Sequence, residues 1–167
     1  MDIWLMVVQF VHILGGAAWL GGSIFANLVL LPYVFRQAPD RRRGLIGVLI
    51  LGPERVMIGA AVIGGLMGLV RGTFFGPIRS IDDLGSGYGL TWLGAVVVVL
   101  GVFVVGGAVT SRAARRLLDD DALWVASADG RLGDAYATTA VRLKVGFRIE
   151  LSGILVTLAL MEVLRFS

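Results

Sequence analysis

His12 is the only histidine in the chain, and there is no cysteine. Metal or redox chemistry at a ring nitrogen or a thiolate must therefore begin at this one imidazole. A neutral imidazole ligates haem iron or copper, relays a proton, or bonds a neighbouring helix. Gln9, His12, Gly16, Trp19, Ser23 and Asn27 follow one another at steps of three and four. That spacing puts them on one face of a helix. The surrounding run is apolar, and unpaired polar groups are costly in hydrocarbon, so the stripe is expected to face the protein interior. Trp19, two turns beyond His12, either stacks on a ligand or packs.

Several chemistries drop out. One histidine without cysteine cannot close a zinc site from protein ligands alone, and a bis-histidine haem within one subunit is excluded as well. A haem at His12 needs a five-coordinate iron, a methionine such as Met67 or Met161, or the same histidine of a second copy. No serine stands in a nucleophile-elbow pattern, which disfavours a serine hydrolase. Glycines are abundant, and Gly64, Gly65 and Gly68 are expected at a depth similar to that of His12. They serve either close helix approach or a notch for a planar macrocycle.

Charged residues form a second constellation. Glu54 and Arg55 open one apolar run, while Lys144, Arg148 and Glu150 open another. Buried charges need partners, so Arg55 with Glu150, or Glu54 with Arg148, is expected as a structural ion pair. Those arginines would alternatively grip a propionate or a lipid phosphate. Arg71 and Glu162 are expected to pair likewise. The run Asp119-Asp120-Asp121 reads as a solvated cap in preference to a metal site.

The elements that must position these groups are membrane helices. Of the 167 residues 57% are hydrophobic, and the mean hydropathy is +0.86; soluble domains average roughly 45–50% apolar. The expectation is an all-α, integral membrane bundle of four transmembrane helices in a single domain, with lipid as its main partner. The spans are read as about residues 3–31, 55–70, 90–109 and 145–164. Pro32 closes the first, and Pro53 and Glu54 interrupt the second. Arginines cluster in the first connection and in the third, residues 110–144, which places both in the cytoplasm and both termini outside. Arg112 to Leu118 should extend the third helix, and Trp124 should sit at headgroup level. Asp129-Gly130 reads as a turn, and residues 71–89 as a glycine-rich outer-face lid or re-entrant turn without regular structure. The net charge of +3 suits loops and anionic headgroups better than nucleic acid. The acidic, arginine-free start and the long first apolar run do not suggest a cleaved signal peptide.

His12, seven residues to Trp19, then Gly21-Gly22 and Leu31-Pro32 with Tyr33-Val34-Phe35 following, resembles the opening of the copper resistance D-like membrane proteins. It is also similar to the small haem-binding protoporphyrinogen oxidases of bacteria. The resemblance is carried by the first helix. It implies a compact helical bundle in a bacterial-type inner membrane, with haem b and a haem-binding role that falls on His12 alone. The later histidines and lysine of the oxidase pattern have no counterpart: spans two to four lack histidine, and the only lysine is Lys144. The expected function is a redox or electron-transfer role at His12. The alternatives are a non-catalytic structural or assembly subunit, as a homodimer or within a larger membrane complex, and a copper or small-solute permease.

Overall fold

A segment surrounded by apolar medium has to satisfy its own backbone N–H and C=O groups, and a helix does so within the segment. The computed structural model describes residues 2–126 and 131–166. Its described residues are overwhelmingly helical, in four long helices: α1, Ile3–Arg36; α2, Pro39–Thr73; α3, Gly87–Asp119; and α4, Asp134–Phe166. The first three are long and apolar enough to cross a membrane. At ~1.5 Å per residue each measures about 50 Å, against a hydrocarbon core of ~30 Å. Helix α4 has 33 residues, but Arg148, Glu150, Glu162 and Arg165 confine its uncharged run to Leu151 through Met161.

Three of the helices contain a widened π-helical turn, at Ala26–Leu30, Ile46–Leu51 and Gly106–Ser111. The one in α2 explains a difference from the sequence reading, which interrupts span two at Pro53 and Glu54. The helix instead runs through both from Pro39. Proline removes one ladder N–H, and Pro53 stands two residues after the turn where the ladder has already shifted. Pro32 likewise sits in the first turn after the π segment of α1, so the helix continues past it to Arg36.

The described residues fall into two compact units. One comprises Met1–Gly22, Val56–Val102 and Ser152–Ser167, the other Ser23–Arg55 and Phe103–Leu151. In the first, glycines let helices meet: Gly72 has no room for a Cβ against the Trp92 indole, nor Gly153 against Val102. The connection from α2 to α3 holds a 3-10 turn at Asp82–Gly85, where a lid without regular structure was expected. The Asp83 carboxylate fixes it, accepting from the Arg79 N–H at 2.8 Å, the Ser80 N–H at 2.7 Å and the Ser80 hydroxyl at 3.0 Å.

The second unit has its core around Val34, Ile46, Leu117 and Leu143, which are fully buried. Trp124 packs on this core: its Nε1–H donates to the Leu117 carbonyl at 2.7 Å, and its ring meets Tyr136 edge-on at 5.0 Å. The Asp129-Gly130 turn lies outside the described residues. In both units large apolar side chains face outward, among them Phe10, 65% exposed, Val48, 70%, and Val56, 74%. Apolar surface that extensive fits hydrocarbon, not water.

Candidate functional site

In the first unit, His12 Nδ1 stands 2.7 Å from the Gly64 carbonyl oxygen. A carbonyl only accepts, so Nδ1 carries the proton, and in the neutral imidazole Nε2 then carries the lone pair. Among the described residues Nε2 has no hydrogen-bond partner. One turn earlier, Gln9 Oε1 is buried and also unpartnered. Of these two acceptors, one turn apart on one helix, Gln9 Oε1 is the buried one that calls for a donor or a cation.

The glycines opposite are already in contact with α1. A Cβ on Gly15 would stand 2.8 Å from the Ala60 carbonyl oxygen and 2.9 Å from Gly64 Cα; one on Gly64 would stand 3.2 Å from the Gly16 nitrogen. A Cβ on Gly68 would stand 2.8 Å from His12 Cε1. The Gly64–Gly68 notch is thus filled by helix backbone and by the histidine ring, and a macrocycle does not fit against it. Gly16 and Gly65 have nothing within 4 Å of a Cβ position and face open space. Trp19 is half-buried, two turns along. The sequence reading named Gly64 but not its contact Gly15; the doublets Gly15-Gly16 and Gly64-Gly65 were the available signal.

The charged constellation is rearranged in the second unit. Glu54 accepts a hydrogen bond from the Ser111 hydroxyl and lies 3.6 Å from Arg115 Nη2. Glu150 accepts from the Thr110 hydroxyl. The expected pairs Arg55–Glu150 and Glu54–Arg148 do not form; among the described residues neither Arg55 nor Arg148 has an ion pair, and both are exposed. The physical reason lies in α3. Adjacent side chains on a helix diverge, so one of two consecutive hydroxyls reaches α2 while the other reaches α4. Gly146 makes room, having no space for a Cβ against the Thr110 hydroxyl, and a Cβ on Gly106 would stand 3.6 Å from the Glu150 carboxyl carbon. Thr110 and Ser111 were read as the start of a loop, which hid them. Glu162 pairs with Arg165 at 3.8 Å, one turn on, and not with Arg71.

The acidic run is used for pairing. Asp121 meets Arg43 Nη1 at 2.5 Å, and Asp120 lies 3.6 Å from Arg116 and accepts from the Ala122 N–H at 3.2 Å. Among the described residues, no group of three or more histidine, aspartate or glutamate side chains is placed to hold a metal ion. No protein-family model, curated protein or solved structure matches this chain.

Proposed function

We propose that the chain is a four-span membrane protein of the copper resistance D-like type, in which His12 Nε2 is a preset single ligand for haem b iron or copper. The observation that carries this is the Nδ1–H bond to the Gly64 carbonyl at 2.7 Å. Ligating histidines are oriented in just this way, with the second ring nitrogen donating to a carbonyl or carboxylate. A histidine that only packed would leave Nε2 without a partner inside an apolar run, and an unsatisfied polar group there is costly. Haem iron, when bound, would supply one-electron redox chemistry; the chain would hold it through His12 Nε2, whose ring is seated against Gly64 and Gly68 of α2. The Gly64–Gly68 notch takes no part in holding a macrocycle.

The clustering of arginines in residues 33–54 and 110–144 supports a cytoplasmic side for both in a bacterial-type inner membrane, with both termini outside. The fourth span is α4, whose Glu150 is made tolerable at depth by the Thr110 hydroxyl. Haemin added to the purified chain should produce a Soret band that His12→Ala abolishes. A chain showing no Soret absorbance before or after haemin does not bind haem.

A second reading is a non-catalytic structural subunit, favoured by the close seating of the His12 ring over Gly68. In that case His12→Ala lowers the stability of the bundle or complex and leaves any activity intact.

A further inference from the structure

A cleft of about 200 Å³ in the second unit is lined by Asn27, Leu31, Pro32, Phe35, Lys144 and Arg148. It is separate from His12 and from the Glu54 and Glu150 carboxylates. Its walls hold two cations and no carboxylate. Lys144 Nζ stands 4.1 Å from the centroid of the Phe35 ring, and Arg148 follows one turn on along α4. Among the described residues neither makes an ion pair. The Asn27 amide is fixed in the wall, donating to the Ser23 carbonyl at 2.9 Å and the Phe147 carbonyl at 3.1 Å.

We infer that this cleft binds the headgroup of an anionic phospholipid, with the phosphate between Lys144 and Arg148 and the glycerol carbons against Leu31, Pro32 and Phe35. Three observations support this occupant. The first is charge: two cations that form no ion pair among the described residues line one space, and phosphate oxygens accept from guanidinium and ammonium alike. The second is position. Residues 31–36 end the apolar run of α1 where it gives way to Arg36, and Lys144 and Arg148 stand within two turns before the uncharged run of α4 that opens at Leu151; such boundaries sit at headgroup depth. The third is the mixed lining. An inorganic phosphate has no use for Leu31, Pro32 and Phe35, whereas a lipid covers them.

The test uses the full chain in neutral detergent, with native mass spectrometry after addition of phosphatidylglycerol, phosphatidylcholine or inorganic phosphate. Phosphatidylglycerol should be retained over phosphatidylcholine, and inorganic phosphate should not displace it. Lys144→Gln and Arg148→Gln should each weaken retention about fivefold, from roughly 1 kcal/mol per basic residue near an anionic surface. Arg142→Gln, on the same helix outside the cleft, should change nothing. Equal retention of the two lipids by the unaltered chain overturns the proposal without recourse to any variant. So does unchanged retention by the double variant with matched helix content. Displacement by inorganic phosphate assigns the cleft to a free anion and equally overturns it.

Discussion

The imidazole of His12 occupies the volume that a side chain at position 68 would need, since a Cβ on Gly68 would stand 2.8 Å from its Cε1. The ring is therefore held at two successive turns of α2, by a carbonyl at Gly64 and by an absent side chain at Gly68. Gly68→Ala should force the ring aside and cost about 1–3 kcal/mol, the usual effect of overpacking. Gly65→Ala, which points into open space, should cost nothing and gains up to ~1 kcal/mol of helix propensity. Unfolding in detergent compares the two. Equal destabilisation would mean that the glycines act through something other than the His12 ring.

The Thr110 hydroxyl is what lets Glu150 sit between helices. Thr110→Val should destabilise by about 1 kcal/mol, between the ~0.6 kcal/mol average for interhelical bonds in membranes and the ~1–3 kcal/mol for leaving a buried group unsatisfied. Thr110→Ser keeps the donor and should cost less. Chemical denaturation of the two variants provides the comparison. A serine variant as unstable as the valine one would move the effect from the hydroxyl to the methyl group.

Arg43 illustrates which part of a polar contact matters. Its Nε–H donates to the Leu118 carbonyl at 2.7 Å, while its partner Asp121 is 88% exposed. Exposed ion pairs contribute about 0–1 kcal/mol, so Asp121→Ala should be nearly silent. Arg43→Ala loses the carbonyl bond and its packing as well and should be clearly destabilising, by about 1 kcal/mol or more. A silent Arg43→Ala in the same melting experiment contradicts this division.

The α2–α3 connection should open in acid. The backbone N–H groups of Arg79 and then Ser80, with the Ser80 hydroxyl, hold the Asp83 carboxyl below the ordinary carboxylate range. A depressed folded-state pKa stabilises the loop above the unfolded value, about 3.9. That stabilisation is lost as pH falls from there through the folded pKa. Amide exchange at Arg79 and Ser80 should therefore lose protection below about pH 4, and Asp83→Asn should weaken protection at neutral pH. Protection independent of pH between 5 and 2 would rule out the carboxylate as the anchor.

What was legible in the sequence was periodicity. The stripe from Gln9 to Asn27 is the less exposed face of α1, because polar groups at steps of three and four can be hidden together only on a helix. The long apolar runs read as four spans, and three of the helices are long and apolar enough to cross a membrane. Pairing between helices was not legible. Glu54 and Glu150 met the hydroxyls of Ser111 and Thr110, not Arg148 and Arg55, because two adjacent residues of α3 reach both neighbours at once. Helix continuity through Pro53 was hidden for a local reason: the widened turn that accommodates it carries no composition signal. The glycines of α2 read either as a place of close approach or as a ligand notch, and whether a ligand or another helix fills it depends on register, which one sequence does not supply.

The central claim is that His12 presents a protonated Nδ1 to Gly64 and a free Nε2 to a ligand. With one histidine in the chain, nitrogen-15 NMR of histidine-labelled protein reports this imidazole alone. The account predicts a protonated Nδ1 and an unprotonated Nε2 at neutral pH, with the Nε2 resonance shifted or broadened when haemin or copper is added. An unprotonated Nδ1, or an Nε2 resonance unmoved by both, would contradict it.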